Sequence, residues 1–410
     1  MGRKSIRTRR NWLASCASVT AGLATLAGCT NSDETSDEPE NSEELPPTRW
    51  PMYGVDPQNT GHHPTATGPS GEEVELRTVF ESEGVISNSP AIVDGTLYVA
   101  ADNHLHAVDL ATEELEWKKQ VTDLRGAYPT VSDEKVYAGT ENGIVAINRN
   151  SEDISWRKDV GISSINPVLA GNSVVGTENM ILYRFHPETG AETILHDLRN
   201  HNGGRPYTDI PAYNNGIVYF AGGHFLYAVN AESGKVEWTF KNPEGKSLGD
   251  SNPTVANGTV YIGGKNQRLY AIDADNGTEE WSEKISASVE CSPSIADGTI
   301  YFGGAGAGGQ QFFAIDIKNQ EYIWEPQDLR YSIRSKPVIV DGMVYVTSYQ
   351  DIFAFDSEDG TIKWDFKNLG EEVGDSLGSS LAVFDGSLYV STTDGKIHTI
   401  SGKSSPHILT

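Results

Sequence analysis

From Ser89 onward the chain alternates short apolar runs with polar turns, and the alternation itself repeats. "NPTVAN" and "TVYIGG" flank Asn257-Gly258, a residue pair suited to the backbone angles of a two-residue hairpin. "RLYAIDA" is a third run, Asn276-Gly277 turns it, and "TEEWSEKI" is a fourth. The hairpin pair recurs as Asp94-Gly95, Asn215-Gly216, Asp297-Gly298, Asp341-Gly342 and Asp385-Gly386. Each unit opens with a proline: Pro90, Pro129, Pro167, Pro211, Pro253, Pro293 and Pro337, spaced 39, 38, 44, 42, 40 and 44 residues apart. An eighth copy, from Ser380, has Leu381 in that place. Nothing beyond Cys29 sustains an apolar period of 3.6, so the chain reads as all-β. Four strands per unit at a period near 40 predict an eight-bladed β-propeller of antiparallel blades over residues 49–410.

The eighth copy supplies three strands and then ends in "SGKSSPHILT". Upstream of the first proline, "EVELRTVFES" (Glu73–Ser82) is a strand without a unit of its own, and its Thr78 lies 39 residues before Trp117. This N-terminal strand is expected to complete the last blade, which removes two open sheet edges.

Trp117, Trp156, Trp238, Trp281, Trp324 and Trp364 recur in the last strand of their units; copy three has Ile194 there and copy eight has no counterpart. Stacked blades need bulky filler between them, and an indole buries a large area. The glycine before the tryptophan allows a positive φ in the turn. A residue repeated in nearly every unit is read as blade-docking structure.

Charge narrows the function. The 410 residues carry 31 basic and 57 acidic side chains, a net of −26, with the acids spread along the chain. Such a surface repels nucleic acid and anionic headgroups, which excludes a nucleic-acid role. It is the surface of a protein working in molar salt, where screening removes the self-repulsion, and it points to a halophilic, archaeal source.

The N-terminus reads as an address. "TRRNWL" (Thr8–Leu13) carries the paired arginines of a twin-arginine signal, and the apolar run to Ala27 is shorter than the roughly 20 residues of a membrane span. It ends in "LAGC" (Leu26–Cys29), which resembles a lipobox. The expectation is a signal peptide over 1–28, then lipidated Cys29 and a disordered acidic tether over 29–48. The protein would be exported and held on the outer face of the cytoplasmic membrane by that lipid alone. Without the signal, 26 basic residues face 57 acids, a net of −31. Cys16 leaves with the signal and Cys291 stands alone, so there is no disulfide framework and no zinc spacing.

The repeated "AxDxxxGxxxW" resembles the repeats of the pyrroloquinoline-quinone (PQQ) propeller superfamily, and "WPMYGVDPQNTG" (Trp50–Gly61) looks like the segment preceding the first blade in many members. The resemblance implies one of two branches. Quinoprotein dehydrogenases hold PQQ and calcium over the propeller axis; non-catalytic members similar to the lipoprotein subunit of the bacterial β-barrel assembly machine act as scaffolds. The dehydrogenases typically carry an adjacent Cys-Cys pair, whereas Cys291 is single, and no convincing calcium set stands at matching positions. The scaffold branch fits the lipobox and the lean repeats: a monomer binding protein partners through a propeller face, with no cofactor. The alternatives are a PQQ- and calcium-dependent oxidoreductase and a receptor for a small ligand or carbohydrate. An archaeal cell lacks the outer membrane that receives barrels, so only the architecture would carry over.

A site in a propeller belongs where the copies differ, in the loops around one mouth of the axis. The linker "HDLRNHNGGRPYTDIP" (His196–Pro211) is matched in no other copy, and further linkers offer Arg125, Arg330 and Asp375. Arg205, Asp209, Asp250, Glu290, Arg334 and Lys336 are the candidate mouth residues, a ring of mixed charge for a peptide, a sugar or calcium. "GGAGAGGQQ" (Gly303–Gln311) lacks the lysine of a phosphate loop and reads as a hairpin tip.

Overall fold

The computed structural model describes residues 46, 48–69, 71, 73–124, 128–161, 165–178, 181–199, 210–248, 251–305, 310–367, 377 and 380–403. The chain divides into two units, Met1–Glu43 and Glu44–Thr410, and every described residue belongs to the second. Cys29 and the proposed signal and lipobox lie outside the described residues.

Eight antiparallel sheets follow one another along the chain, numbered here as blades 1 to 8, and no helix occurs among the described residues. Blade 5 shows the plan: Thr254–Ala256 innermost, then Thr259–Gly264, Arg268–Asp273 and the outermost Glu279–Lys284. Asn257 takes a φ of 49° and Gly258 one of 78°, the positive pair that this hairpin requires. Side chains alternate between the two faces of a blade, and both faces of the middle strands are buried against neighbouring blades. The core is therefore a ring of apolar layers between successive sheets.

The last blade closes as the strand pattern predicts. Val74–Glu81 pairs antiparallel with Lys396–Gly402, the third strand of blade 8. The register differs by one residue from the one-period count. Trp117, Trp156, Trp238, Trp281 and Trp364 each stand opposite the alanine of their third strand, as Trp117 does Ala107 and Trp238 does Ala228. In blade 8 the counterpart of that alanine is Thr399, and its partner is Arg77, not Thr78. The bulge has moved between Thr78 and Phe80.

Two further details depart from the plan. Blade 1 has a fifth strand, because Arg49–Trp50 pairs with the innermost Ala91–Val93. The outermost strand of blade 6 is split into Glu321–Tyr322 and Gln327–Asp328, with Pro326 between them lacking the N–H a continuous ladder needs.

Blade docking follows a repeated geometry. A Cβ on Gly190, Gly277 or Gly360 would come within 2.5 or 2.6 Å of Trp156, Trp238 or Trp324, the indole of the preceding blade. The indole nitrogens of Trp156 and Trp238 donate to the carbonyls of Pro187 and Ala274, 2.8 and 2.7 Å away in the next blade. Trp117 and Trp364 are likewise buried, while Trp281 is half-buried. These glycines serve two ends: their φ values of 62°, 75° and 70° suit the turn, and they leave room for the ring.

Where tryptophan is missing an arginine intervenes. In blade 3 the register shifts so that Ile194 turns outward, 54% exposed, while Leu195 is buried. Arg184 then donates to the carbonyls of Ala231 and Glu232 in blade 4, both at 2.9 Å. At the closing seam, Arg77 pairs with Glu113 of blade 1.

Candidate functional site

The innermost strand of each blade has one edge facing the axis, and its backbone N–H groups need partners. The segment before blade 1 provides them by circling the axis once. Residue by residue, the carbonyls of Pro51, Pro57, Gln58, Thr60 and Gly61 accept from Val131, Tyr213, Val255, Ile295 and Ile339, in blades 2, 4, 5, 6 and 7, at 2.7 to 2.9 Å. Met52 and Tyr53 pack with Val168 of blade 3. The circle ends where it began: His63 Nε2 lies 3.1 Å from the Pro46 carbonyl, and its ring stacks on Trp50. Prolines, glycines and isolated polar residues make this path, and the two-fold alternation used to find blade strands has no hold on it.

Asn59 fastens the circle. Its side-chain amide donates to the carbonyls of Pro211 and Pro253 at 3.2 and 3.1 Å, and its backbone carbonyl accepts from Thr254 Oγ1 at 3.0 Å. A φ of 58° gives it the left-handed bend this requires. The hydroxyls of Thr130, Thr254 and Ser294 bind the next proline carbonyl round the ring, at 2.6, 2.7 and 2.7 Å.

Lys336 occupies the axis, 2% exposed, so it is a buried cation beneath the mouth and not a charge on its rim. Its ammonium donates to Thr254 Oγ1 at 3.1 Å and to the Pro293 carbonyl. Burial pulls its pKa down to about 7, against the opposing pull of Asp56 and Cys291. Burial pushes Asp56 up to about 6, although it accepts from the backbone and hydroxyl of Thr60 and feels the Lys336 charge. Tyr53, raised to about 12 by burial, donates to Ser292 Oγ at 3.0 Å. A half-buried carboxylate on the circling segment and a buried amine before blade 7 thus act on each other through their charges, each held by neutral donors and acceptors.

At the mouth Arg334 and Glu290 pair at 3.2 Å, with the arginine side chain 76% exposed. Arg330 lies over the Tyr331 ring at 4.8 Å, and Tyr331 meets the exposed Tyr349 edge-on. The structure therefore brings Glu290 and Arg334 together and sets Lys336 apart below them. Arg205, Asp209 and Asp250, with Arg125 and Asp375, lie outside the described residues.

The donor set also tests the quinone and calcium that the resemblance implies. Among the described residues no three His, Cys, Asp or Glu side chains come together to hold a metal ion. Glu290 is engaged by Arg334, and Tyr53 and Lys336 take up the space at the axis. Cys291 is buried, with its thiol raised by burial to about 11 and accepting from the Gly303 N–H at 2.8 Å, so it is an inert packing group. The described residues do not fit a quinone–calcium pair.

Comparison with known proteins gives three kinds of likeness. A family model described as outer membrane protein assembly factor BamB matches residues 73–194, 197–325 and 283–407. The BamB protein of Yersinia pestis is 27% identical over 158 residues, which span 38% of this chain and 32% of that relative. That of Escherichia coli K12 is 25% identical over 300 residues, 58% of this chain and 74% of the relative. Among solved structures, the quinohemoprotein alcohol dehydrogenase of Comamonas testosteroni superposes with a TM-score of 0.71 at 13% identity, covering 89% of this chain and 82% of its own. That last likeness is one of fold alone.

Proposed function

The chain belongs to the family described as outer membrane protein assembly factor BamB, and from that membership we propose that it is an exported propeller lipoprotein serving as a non-catalytic scaffold for protein partners. Cys29 would carry the lipid, residues 30–48 would span the gap to the membrane, and the propeller faces would meet the partners. Glu290 and Arg334 at the mouth would contribute to that contact, with Arg205, Asp209 and Asp250 nearby in sequence register; Lys336 would support the mouth from below.

The observation that carries this reading is the filled axis. The position from which a propeller enzyme would work is occupied by the protein's own Tyr53, Asp56 and Lys336, whose polar groups bind Ser292, Thr60, Thr254 and Pro293. What remains for recognition is the outer surface. In the experiment, the full-length protein is cross-linked in its own membranes at native salt and its neighbours are identified by mass spectrometry. A reproducible protein partner, lost when Arg334→Glu reverses the mouth charge, is expected. Stoichiometric uptake of PQQ with calcium, seen in the absorbance of the purified protein, would overturn the reading in favour of the oxidoreductase.

A further inference from the structure

A pocket of about 370 Å³ opens over blade 1, between the linker that enters blade 1 and the linker that leaves it. Val85, Ser87, Ala100, Asp102, Asn103 and Leu124 line it. Two other blades are packed more closely at this place. At the position of Ala100, blades 5 and 6 carry Gly263 and Gly303. A methyl on either would come 2.5 Å from the Val289 carbonyl oxygen or 2.6 Å from Ile333 Cβ, in the linker that follows. Ala100 carries that methyl, so the same close approach is barred in blade 1.

The repeat also shows what is missing. In blades 5, 6 and 7 the side chain two residues before the opening proline accepts from the backbone N–H of this same strand position. Ser251 does so from Gly263 at 3.0 Å, Cys291 from Gly303 at 2.8 Å and Ser335 from Thr347 at 3.2 Å. Blade 1 has Asn88 there, and its buried amide nitrogen has no partner. The hydroxyl of Ser89, on a residue 4% exposed, has none either. Orphaned buried polar groups are costly, and a ligand that lets the linker turn Asn88 toward it recovers that cost.

We propose that this pocket binds a small neutral polyhydroxylated molecule of monosaccharide size. Its volume lies within the range of small-molecule sites, and its walls combine methyls with a few polar groups. Asn88, next in the chain to the lining Ser87, has a buried amide without an acceptor, Asp102 and Asn103 line the pocket, and a hydroxyl can both accept and donate there. Lys118, 4.0 Å from Asp102, offsets the carboxylate, while the net charge of −26 disfavours anions. The site is separate from the axis and from the mouth pair, and it stands whether or not the faces bind proteins.

The test uses the folded full chain at high salt, with D-glucose, D-galactose and N-acetyl-D-glucosamine offered singly, read by saturation-transfer NMR and calorimetry. At least one sugar is expected to bind saturably. Asp102→Asn and Asn88→Ser should each weaken it about tenfold, roughly the worth of one hydrogen bond. Asn88→Ser restores the side chain of blade 5, so its unfolding midpoint should not fall. Absence of saturable binding by all three sugars, or equal affinity in both variants, overturns the proposal.

Discussion

Arg77 and Glu113 form an ion pair across the seam where the two ends of the chain close the ring. Arg77 stands in the register that tryptophan holds in other blades, and Glu113 in the turn position that glycine holds, with a φ of 59°. Both side chains are partly exposed, at 54% and 35%. An exposed pair contributes at most about 1 kcal/mol and less in salt, whereas losing a buried indole costs roughly 3–5 kcal/mol. Arg77→Ala should therefore shift the urea midpoint slightly at low salt and not at all in molar salt, while Trp238→Ala shifts it strongly in both. An equal loss in the two variants would mean that the seam depends on the arginine and not on strand pairing.

Two glycine substitutions separate backbone strain from blade docking. Gly258 and Gly277 have φ values of 78° and 75°, but a Cβ on Gly258 meets nothing within 4 Å, while one on Gly277 falls 2.6 Å from Trp238. Gly258→Ala should cost about 1 kcal/mol and Gly277→Ala roughly 1–3 kcal/mol more. Equilibrium denaturation of the pair measures the difference; its absence would show that the indole yields freely.

Asn59 should prove the weak point of the circling segment. Asn59→Ala removes two buried hydrogen bonds and places alanine at a φ of 58°, a loss of about 2–4 kcal/mol. Asn59→Gly keeps the bend and should recover about 1 kcal/mol of it. If both variants unfold like the parent, the innermost strands do not depend on this segment for their hydrogen bonding.

The axial pair predicts a particular pH dependence. Lys336 has its pKa lowered from 10.5 to about 7, so between these values the unfolded chain binds the extra proton and stability rises with pH. Below about pH 7 the cost of the buried ammonium is fully present. Asp56, raised from 3.8 to about 6, acts in the opposite sense: the folded chain binds the extra proton, and stability falls as pH rises from about 4 to 6. Lys336→Met should flatten the rise above neutrality relative to the parent in a urea series across pH. It should also stabilise the protein near pH 7, provided that Asp56 takes up a proton. A parallel pair of curves would refute the assignment.

Much of this architecture was legible in the chain. Pairs such as Asn257-Gly258 mark hairpins because few residues tolerate positive φ, and the period of the prolines marks blades because each blade is one local unit. Even the closing strand could be inferred, since Val74–Glu81 had no hairpin partner nearby. Less was legible at the candidate site. Lys336 carries no sequence sign of burial: a lysine before proline in a linker looks solvated, and only the fold brings Tyr53 and Asp56 around it. The turn that replaces tryptophan by Arg184 was also hidden, because it depends on a one-residue bulge that turns Ile194 out and Leu195 in.

The sequence by itself determined the number of blades and their strand order, since both rest on contacts within one repeat or between neighbouring repeats. Only the tertiary structure decided what fills the axis and where a cavity remains. Those outcomes depend on residues far apart in the chain, such as Asn59 with Pro253 or Tyr53 with Ser292, meeting through a ring closed by both ends. A local pattern carries information about local pairing, and the centre of a closed ring is the most non-local place in the molecule.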